Sequence, residues 1–319
     1  MRKELPAVTA MACLFVIAIL LAMLVSYILP VQYQMFGSNT NSIYAPLYIL
    51  AIVLVFTGVI LAIAKYWKAK LIQIIILFAV GMSVLYVAYP PLLLAGLGAY
   101  YWDGIVDAAF VIAAVIGVVV VYILVKFPEW YVVDATGITM AAGVTAIFGI
   151  SLDTSVVIIG LMIFAVYDFI SVFKTKHMVS LADNVMEYRL PVLLVIPKSL
   201  DYSFLKQKSL KTQLEDKSER EAMFMGLGDI VFPGMLVVSA LVFLPYDTVT
   251  SIGLDGNIWV ALCTLLGCLI GFLVLMRFVL KGNPQPGLPL LCGGAILGYL
   301  ISAYLTFGSF MLRVPTLGF

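Results

Sequence analysis

The chain has 319 residues, of which 64% are hydrophobic and only 11% are charged, and its mean hydropathy is +1.14. This composition excludes a soluble globular domain. The near balance of 18 Lys and Arg against 17 Asp and Glu excludes the basic excess of a nucleic-acid-binding protein. The chain is therefore predicted to be an integral, multi-pass protein of the cell membrane.

Apolar runs of about 20 residues can cross a bilayer as helices, and the sequence contains nine such runs. They cover residues 7–29, 46–64, 71–90, 104–125, 131–150, 154–173, 226–245, 257–280 and 286–307. The fifth run is the most polar, because it contains Asp134 and three threonines. The predicted fold class is thus an all-α polytopic membrane protein with nine transmembrane helices.

Basic residues fall before the first span and then in alternate loops only. The intervening loops, 30–45, 91–103, 151–153 and 246–256, contain none, and Arg313 in the C-terminal tail is the only one of the 18 that breaks the pattern. Since Lys and Arg collect in cytoplasmic loops, the N-terminus is predicted to be cytoplasmic and the C-terminus to lie outside.

One long polar segment divides the chain into three predicted parts. Residues 1–174 contain spans one to six, residues 175–225 form a cytoplasmic loop, and residues 226–319 contain spans seven to nine. Within the loop, the apolar stretch 190–197 is far too short to cross the bilayer. It is predicted either to lie in the membrane interface or to form a short strand.

Two carboxylates lie inside predicted spans without a basic residue nearby. They are Asp168 in span six and Asp229 in span seven. A carboxylate in the hydrocarbon core costs roughly 2.5–3.5 kcal/mol, so each is a candidate functional residue. Asp107 and Asp134 lie near span ends and are predicted to be interfacial.

The two acids lie at matching depth in the predicted spans. At 1.5 Å per residue, Asp168 is about 9 Å and Asp229 about 12 Å from the cytoplasmic ends. If the two helices are neighbours, one carboxylate can act as a base on water while the other donates a proton to a substrate carbonyl. This chemistry hydrolyses peptide bonds with no metal and no cofactor, and the single histidine, His177, excludes a two-histidine zinc site.

Residues beside these acids favour an accessible site. Gly226 and Gly228 remove side chains just before Asp229, which allows close approach of another backbone. Tyr167 offers a ring and a hydroxyl beside Asp168. Three prolines between 284 and 289 prevent regular helix where span nine begins, at a similar depth.

At three motifs the sequence resembles the presenilin and signal peptide peptidase family of intramembrane aspartyl proteases. These are Tyr167-Asp168 in span six, Gly226-Leu227-Gly228-Asp229 in span seven and Pro286-Gly287-Leu288 at span nine. Gly287 stands where the family has Ala. The segment after Asp229 is similar to the peptidase branch, whereas the cytoplasmic N-terminus is similar to presenilin, so the branch is left open.

This resemblance implies a presenilin-like fold and the cleavage of transmembrane-helix substrates within the bilayer. It implies that Asp168 and Asp229 are the catalytic dyad and that the other motif residues shape the active site. A strand at 190–197 beside that site could pair with an unwound substrate by β-augmentation. The expected partners are transmembrane peptides and membrane lipid; nucleic acid is not expected, and a homo-oligomer is left open.

Two other functions are compatible with acids inside membrane helices. A proton-coupled secondary transporter also has broken helices and buried carboxylates. However, such transporters commonly show two matching halves and a site at the bilayer centre, and neither is predicted here. The second alternative is a catalytically silent membrane scaffold.

Overall fold

The structure is a computed structural model that describes residues 4–28, 34, 40–42, 44, 47–49, 51–52, 55, 69–97, 101–102, 106–171, 193–197, 222–246, 248, 253–280 and 286–315. The elements with defined bounds are, in chain order, α1 (Leu5–Ile28), α2 (Ala69–Leu94), β1 (Tyr101–Trp102), β2 (Val106–Asp107), α3 (Ala108–Lys126), α4 (Trp130–Ser151), α5 (Thr154–Ile170), β3 (Leu193–Pro197), β4 (Ala222–Gly226), α6 (Gly228–Phe243), α7 (Gly256–Val279) and α8 (Gly287–Phe307).

These helices coincide with the predicted spans, apart from span two at 46–64, which lies mostly outside the described residues. Among the described helices, six are long and apolar enough to cross a membrane: α1, α2, α3, α4, α7 and α8. The remaining two, α5 and α6, are shorter apolar helices of 17 and 16 residues. The two helices that contain the candidate acids are therefore also the two shortest.

Contacts divide the chain into two compact units, each assembled from three sequence segments. The first unit contains Met1–Phe15, Thr57–Gly143 and Lys176–Leu227, and the second contains Val16–Phe56, Val144–Thr175 and Gly228–Phe319. The candidate acids Asp168 and Asp229 both belong to the second unit.

In the first unit, β3 and β4 form an antiparallel two-stranded sheet. Leu193 is paired with Gly226, Val195 with Phe224 and Pro197 with Ala222. The apolar stretch predicted at 190–197 therefore contains a strand. Its burial has a simple cause, because Val195 and Ala222 join a core cluster with side chains of α2, α3 and α4, namely Val80, Val84, Leu124 and Val133.

In the second unit, α5, α6 and α8 are in mutual contact, and α7 packs on both α6 and α8. The closest approach is between α7 and α8, where a Cβ added to Gly267 would overlap the backbone carbonyl of Gly294. Glycine at both positions lets the two backbones touch. The three helices that contain Asp168, Asp229 and Leu288 thus form one packed group.

The start of α5 explains the one basic residue that breaks the charge pattern. Asp153 is the N-cap of α5, and its side chain accepts a hydrogen bond from the Ser155 N–H at 3.1 Å. Nη1 of Arg313 lies 3.4 Å from Oδ2 of Asp153, which is 1% exposed. The backbone N–H of Arg313 also donates to the Ser155 hydroxyl at 2.8 Å. Arg313 therefore has a local carboxylate partner.

Candidate active site

Asp168 lies in the last turn of α5 and is only 5% exposed. The backbone N–H of Ser171 closes this turn by donating to the carbonyls of Asp168 and Tyr167. The carboxyl group is thus held on the final turn of a regular helix, within the packed group of α5, α6 and α8.

Asp229 is the second residue of α6 and is partly buried. A carboxylate is favoured in the first turn of a helix, because the free N–H groups and the N-terminal end of the helix dipole carry partial positive charge. Pro233 lies four residues further along the same helix. Since proline has no N–H, it cannot make the usual helical hydrogen bond to the carbonyl of Asp229. The backbone at Asp229 is therefore less constrained than in a regular helix.

An aromatic contact fixes how α5 and α6 face each other. The rings of Phe164 and Phe232 pack with their centroids 4.4 Å apart. Phe164 is one turn before Asp168 on α5, and Phe232 is one turn after Asp229 on α6, so each ring shares a helix face with an acid. The contact between the rings consequently turns both acid-bearing faces toward each other.

The start of α8 brings the two acids to adjacent residues. The backbone N–H of Leu288 donates to Oδ2 of Asp168 at 3.2 Å. A Cβ added to Gly287 would lie 3.2 Å from Oδ1 of Asp229 and 3.4 Å from its Oδ2. Bond lengths then place the two carboxylates within about 10 Å of each other. The structure therefore unites Asp168, Asp229, Gly287 and Leu288.

Comparison with known proteins identifies the family of the chain. A family model described as "signal-peptide peptidase, presenilin aspartyl protease" matches residues 12–308. The chain belongs to this family of aspartyl proteases. It is accordingly an aspartic endopeptidase and a multi-pass membrane protein.

Two solved structures are similar to this aspartyl protease over nearly its whole length. Both are described as a presenilin family intramembrane aspartate protease, one in space group C222 and one in P2. The first is 32% identical, with a TM-score of 0.65, and the match covers 93% of this chain and 99% of that one. The second is 33% identical, with a TM-score of 0.61, covering 91% and 96%. A search of curated proteins finds no match, and none of the comparisons supports a transporter.

The other motif residues of this family member occupy defined positions. Gly226 ends β4, Leu227 forms the turn, and Gly228 begins α6. The glycine motif is therefore the passage from strand to helix just before Asp229. Pro286 is the extended N-cap of α8. The side chain of Tyr167 is 47% exposed.

Asp134, which the sequence predicts at the membrane interface, is buried inside the protein. It is 4% exposed, and its Oδ1 accepts a hydrogen bond from the backbone N–H of Val195 at 2.7 Å. The position of this acid in an otherwise apolar run of the sequence was the feature that could have indicated its burial. By contrast, Asp107 caps α3 through the Phe110 N–H. Within the described ranges, no group of three or more His, Cys, Asp and Glu side chains could hold a metal ion.

Proposed function

We propose that this protease hydrolyses peptide bonds of transmembrane-helix substrates with Asp168 and Asp229 as its catalytic dyad. The observation that carries the proposal is the convergence of both acids on Gly287 and Leu288. A scaffold without catalysis would not require two carboxylates to meet at one backbone segment.

In this mechanism the two carboxyl groups divide the proton transfers between them. One takes a proton from the attacking water, and the other donates a proton to the carbonyl oxygen of the scissile bond. The Leu288 N–H donates a hydrogen bond to Oδ2 of Asp168 and thereby orients this carboxyl group. Asp229 supplies the second carboxyl group from the first turn of α6.

The backbone at the start of α8 has a distinct role in this proposal. Gly287 has no side chain beside the carboxylate of Asp229. A methyl group at this position would lie 3.2 Å from Oδ1 of Asp229 and would narrow the space between the two residues. A substrate backbone can therefore approach Asp229 without displacing a side chain of α8. Pro286 holds the chain extended as it enters this position.

An extended substrate segment is proposed to join the sheet of β3 and β4. Helical peptide bonds are already hydrogen-bonded, so a transmembrane substrate must unwind before water can attack its backbone, and strand pairing would stabilise the unwound form. β4 ends at Gly226, three positions before Asp229 in the sequence. Strand pairing is therefore proposed to keep the substrate segment extended and its peptide bonds open to hydrolysis.

The proposed membrane arrangement has nine spans, with the N-terminus cytoplasmic and the C-terminus outside. The distribution of Lys and Arg supports it. Asp168 near the end of α5 and Asp229 near the start of α6 would then lie close to the cytoplasmic face, where water can reach them. The apolar outer faces of the helices would contact membrane lipid.

The test is cleavage of a transmembrane reporter peptide by the full chain in liposomes. We expect Asp229→Asn to reduce cleavage by at least about 100-fold, because the amide cannot exchange protons in place of the carboxyl group. Asp255→Asn is the matched control, since Asp255 precedes α7 and makes no side-chain cap bond. Full cleavage by Asp229→Asn would refute the proposal, and proton-driven uptake without proteolysis would favour a transporter.

A further inference from the structure

Asp134 is a buried acid that the proposed dyad does not use. It lies one turn into α4, and its Oδ1 accepts a hydrogen bond from the N–H of Val195 in β3. Its other oxygen, Oδ2, is buried and has no hydrogen-bond partner among the described residues. Burying a carboxyl group with one oxygen unsatisfied is costly, so its retention requires an explanation.

The direction of this bond defines the two edges of β3. The N–H of Val195 points to Asp134, so it points away from β4. In an antiparallel pair, Val195 and Phe224 then face each other without exchanging hydrogen bonds. The N–H groups of Leu193 and Val195 and the nitrogen of Pro197 consequently lie along the outer edge of β3.

That outer edge is closed to a further strand. Pro197 has no N–H, and Asp134 already occupies the N–H of Val195 in the middle of the strand. A proline on an edge strand, and a helix that covers the edge, are both known to block the pairing of edge strands. A peptide that joined β3 at this edge would have to displace the carboxyl group of Asp134.

The same face of α4 also accepts the side chains of the sheet. Gly137 is one turn beyond Asp134, and a Cβ added there would lie 3.4 Å from the Leu227 side chain and 3.5 Å from that of Leu194. Val133, beside Asp134, belongs to the same core cluster as Val195. Helix α4 thus contacts the sheet through packing on both sides of the hydrogen bond.

We propose that Asp134 is a positioning residue for proteolysis, which fixes β3 on α4 and closes the outer edge of that strand. By holding β3, it also holds the partner strand β4, and so the sheet that the substrate is proposed to join. The inference rests on the proposed function, because its effect is exerted on a substrate that is cleaved at the dyad. It assigns Asp134 to the placement of peptide and not to proton transfer.

The test compares two substitutions of Asp134 in the full chain in liposomes. Asp134→Asn keeps an oxygen acceptor for the Val195 N–H, whereas Asp134→Leu removes it. We expect Asp134→Leu to lower kcat/KM by at least about fivefold, chiefly through KM, and to spread cleavage over additional peptide bonds. Asp134→Asn is expected to keep the wild-type KM and cleavage position. Thr139→Leu, on the same helix, is the control.

A general loss of folded protein would lower the amount of active enzyme, but it would not change KM or the bond that is cut. Identical KM and cleavage positions in Asp134→Leu and Thr139→Leu would overturn the proposal. So would an Asp134→Asn variant as defective as Asp134→Leu, because the acceptor would then be irrelevant.

A second variant decides the matter if Asp134→Leu does not fold. Replacing Val195 by the corresponding α-hydroxy acid puts an ester oxygen in place of its N–H and keeps the side chain, and we expect the same rise in KM and spread of cleavage. Wild-type KM and cleavage positions in this variant would overturn the proposal.

A measurement without substrate separates the inference from the proposed function. Amide hydrogen exchange at Val195 should accelerate in Asp134→Leu whether or not the chain cleaves the reporter. Unchanged exchange overturns the role of Asp134. If the Val195 amide exchanges slowly in the wild-type protein but Asp229→Asn cleaves the reporter at the wild-type rate, the proposed dyad would be refuted and the role of Asp134 would not.

Discussion

Phe164 on α5 and Phe232 on α6 pack ring against ring, with a centroid separation of 4.4 Å and planes tilted by 34°. Each ring lies one helical turn from one of the two acids, on the same helix face. This contact therefore links the packing of the second unit to the geometry of its candidate active site, and it can be tested separately from the acids.

Phe164→Ala should reduce proteolysis through loss of helix placement. The aromatic pair contributes about 0.5–1.5 kcal/mol beyond simple burial, and without it α5 can rotate relative to α6. We expect cleavage of the reporter to fall several-fold, with a lower thermal unfolding temperature in detergent. Phe169→Ala is the control, since Phe169 is on the same helix but 53% exposed. Equal activity of both variants would show that the ring contact does not orient the dyad.

Substitutions at Gly287 should measure the space in front of Asp229. A Cβ at this position would lie 3.2 Å from Oδ1 of Asp229, a gap that a shift of a few tenths of an ångström can accommodate. We expect Gly287→Ala to retain much of the activity and Gly287→Val to abolish it. Gly293→Val on the same helix is the control, because a Cβ on Gly293 would meet nothing within 4 Å. Cleavage by Gly287→Val at the wild-type rate would contradict this account of the site.

Pro233→Ala should stabilise α6 while slowing catalysis. The new N–H at position 233 can bond the carbonyl of Asp229 and make the first turn of the helix more rigid. We therefore expect a higher thermal unfolding temperature together with a several-fold lower kcat. Pro91→Ala in α2 serves as the comparison, since its proline is also inside a helix but in the other unit. An unchanged kcat in Pro233→Ala would mean that the hydrogen bond missing at Pro233 has no part in catalysis.

Asp153→Ala should lower the stability of the second unit. It removes the N-cap of α5, at a typical cost of about 0.5–2 kcal/mol, and also the partner of Arg313. Arg313→Gln should cost less, at most about 1 kcal/mol, because the arginine side chain is 64% exposed. Asp255→Ala provides the comparison, since this N-cap makes no side-chain bond. Thermal unfolding that ranks Asp255→Ala as the most damaging of the three would contradict these assignments.

Much of the helical architecture could be predicted from the sequence, because bilayer-length apolar runs have few alternatives to helix. Asp168 and Asp229 could be identified for a related reason. An acid inside such a run has an unfavourable free energy of membrane insertion, which indicates a functional role. The strand at Leu193–Pro197 was one of two predictions for this stretch, the other being a segment in the membrane interface. The length of the stretch could not decide between them. Its pairing with Ala222–Gly226 depends on contacts across a long loop, which no local pattern reveals.

The environment of Asp134 could not be predicted from its position. Depth along a helix follows from counting residues, but the direction of a side chain depends on what packs against that face. Here the neighbour is β3, which lies 61 positions away in sequence at the bonded residue Val195. Leu288 and Asp168, whose contact the structure shows, are 120 positions apart. From the sequence, only a similar depth in the membrane could be predicted for Asp168, Asp229 and the start of span nine.

The most direct test of the dyad compares Asp168→Asn, Asp229→Asn and the double variant in the same single-turnover cleavage assay. Residues that act as one catalytic unit are not additive, so removing either should cost as much as removing both. We predict that the two single variants and the double variant all fall to the same background rate. Cleavage by either single variant clearly above that of the double variant would contradict the joint action of Asp168 and Asp229.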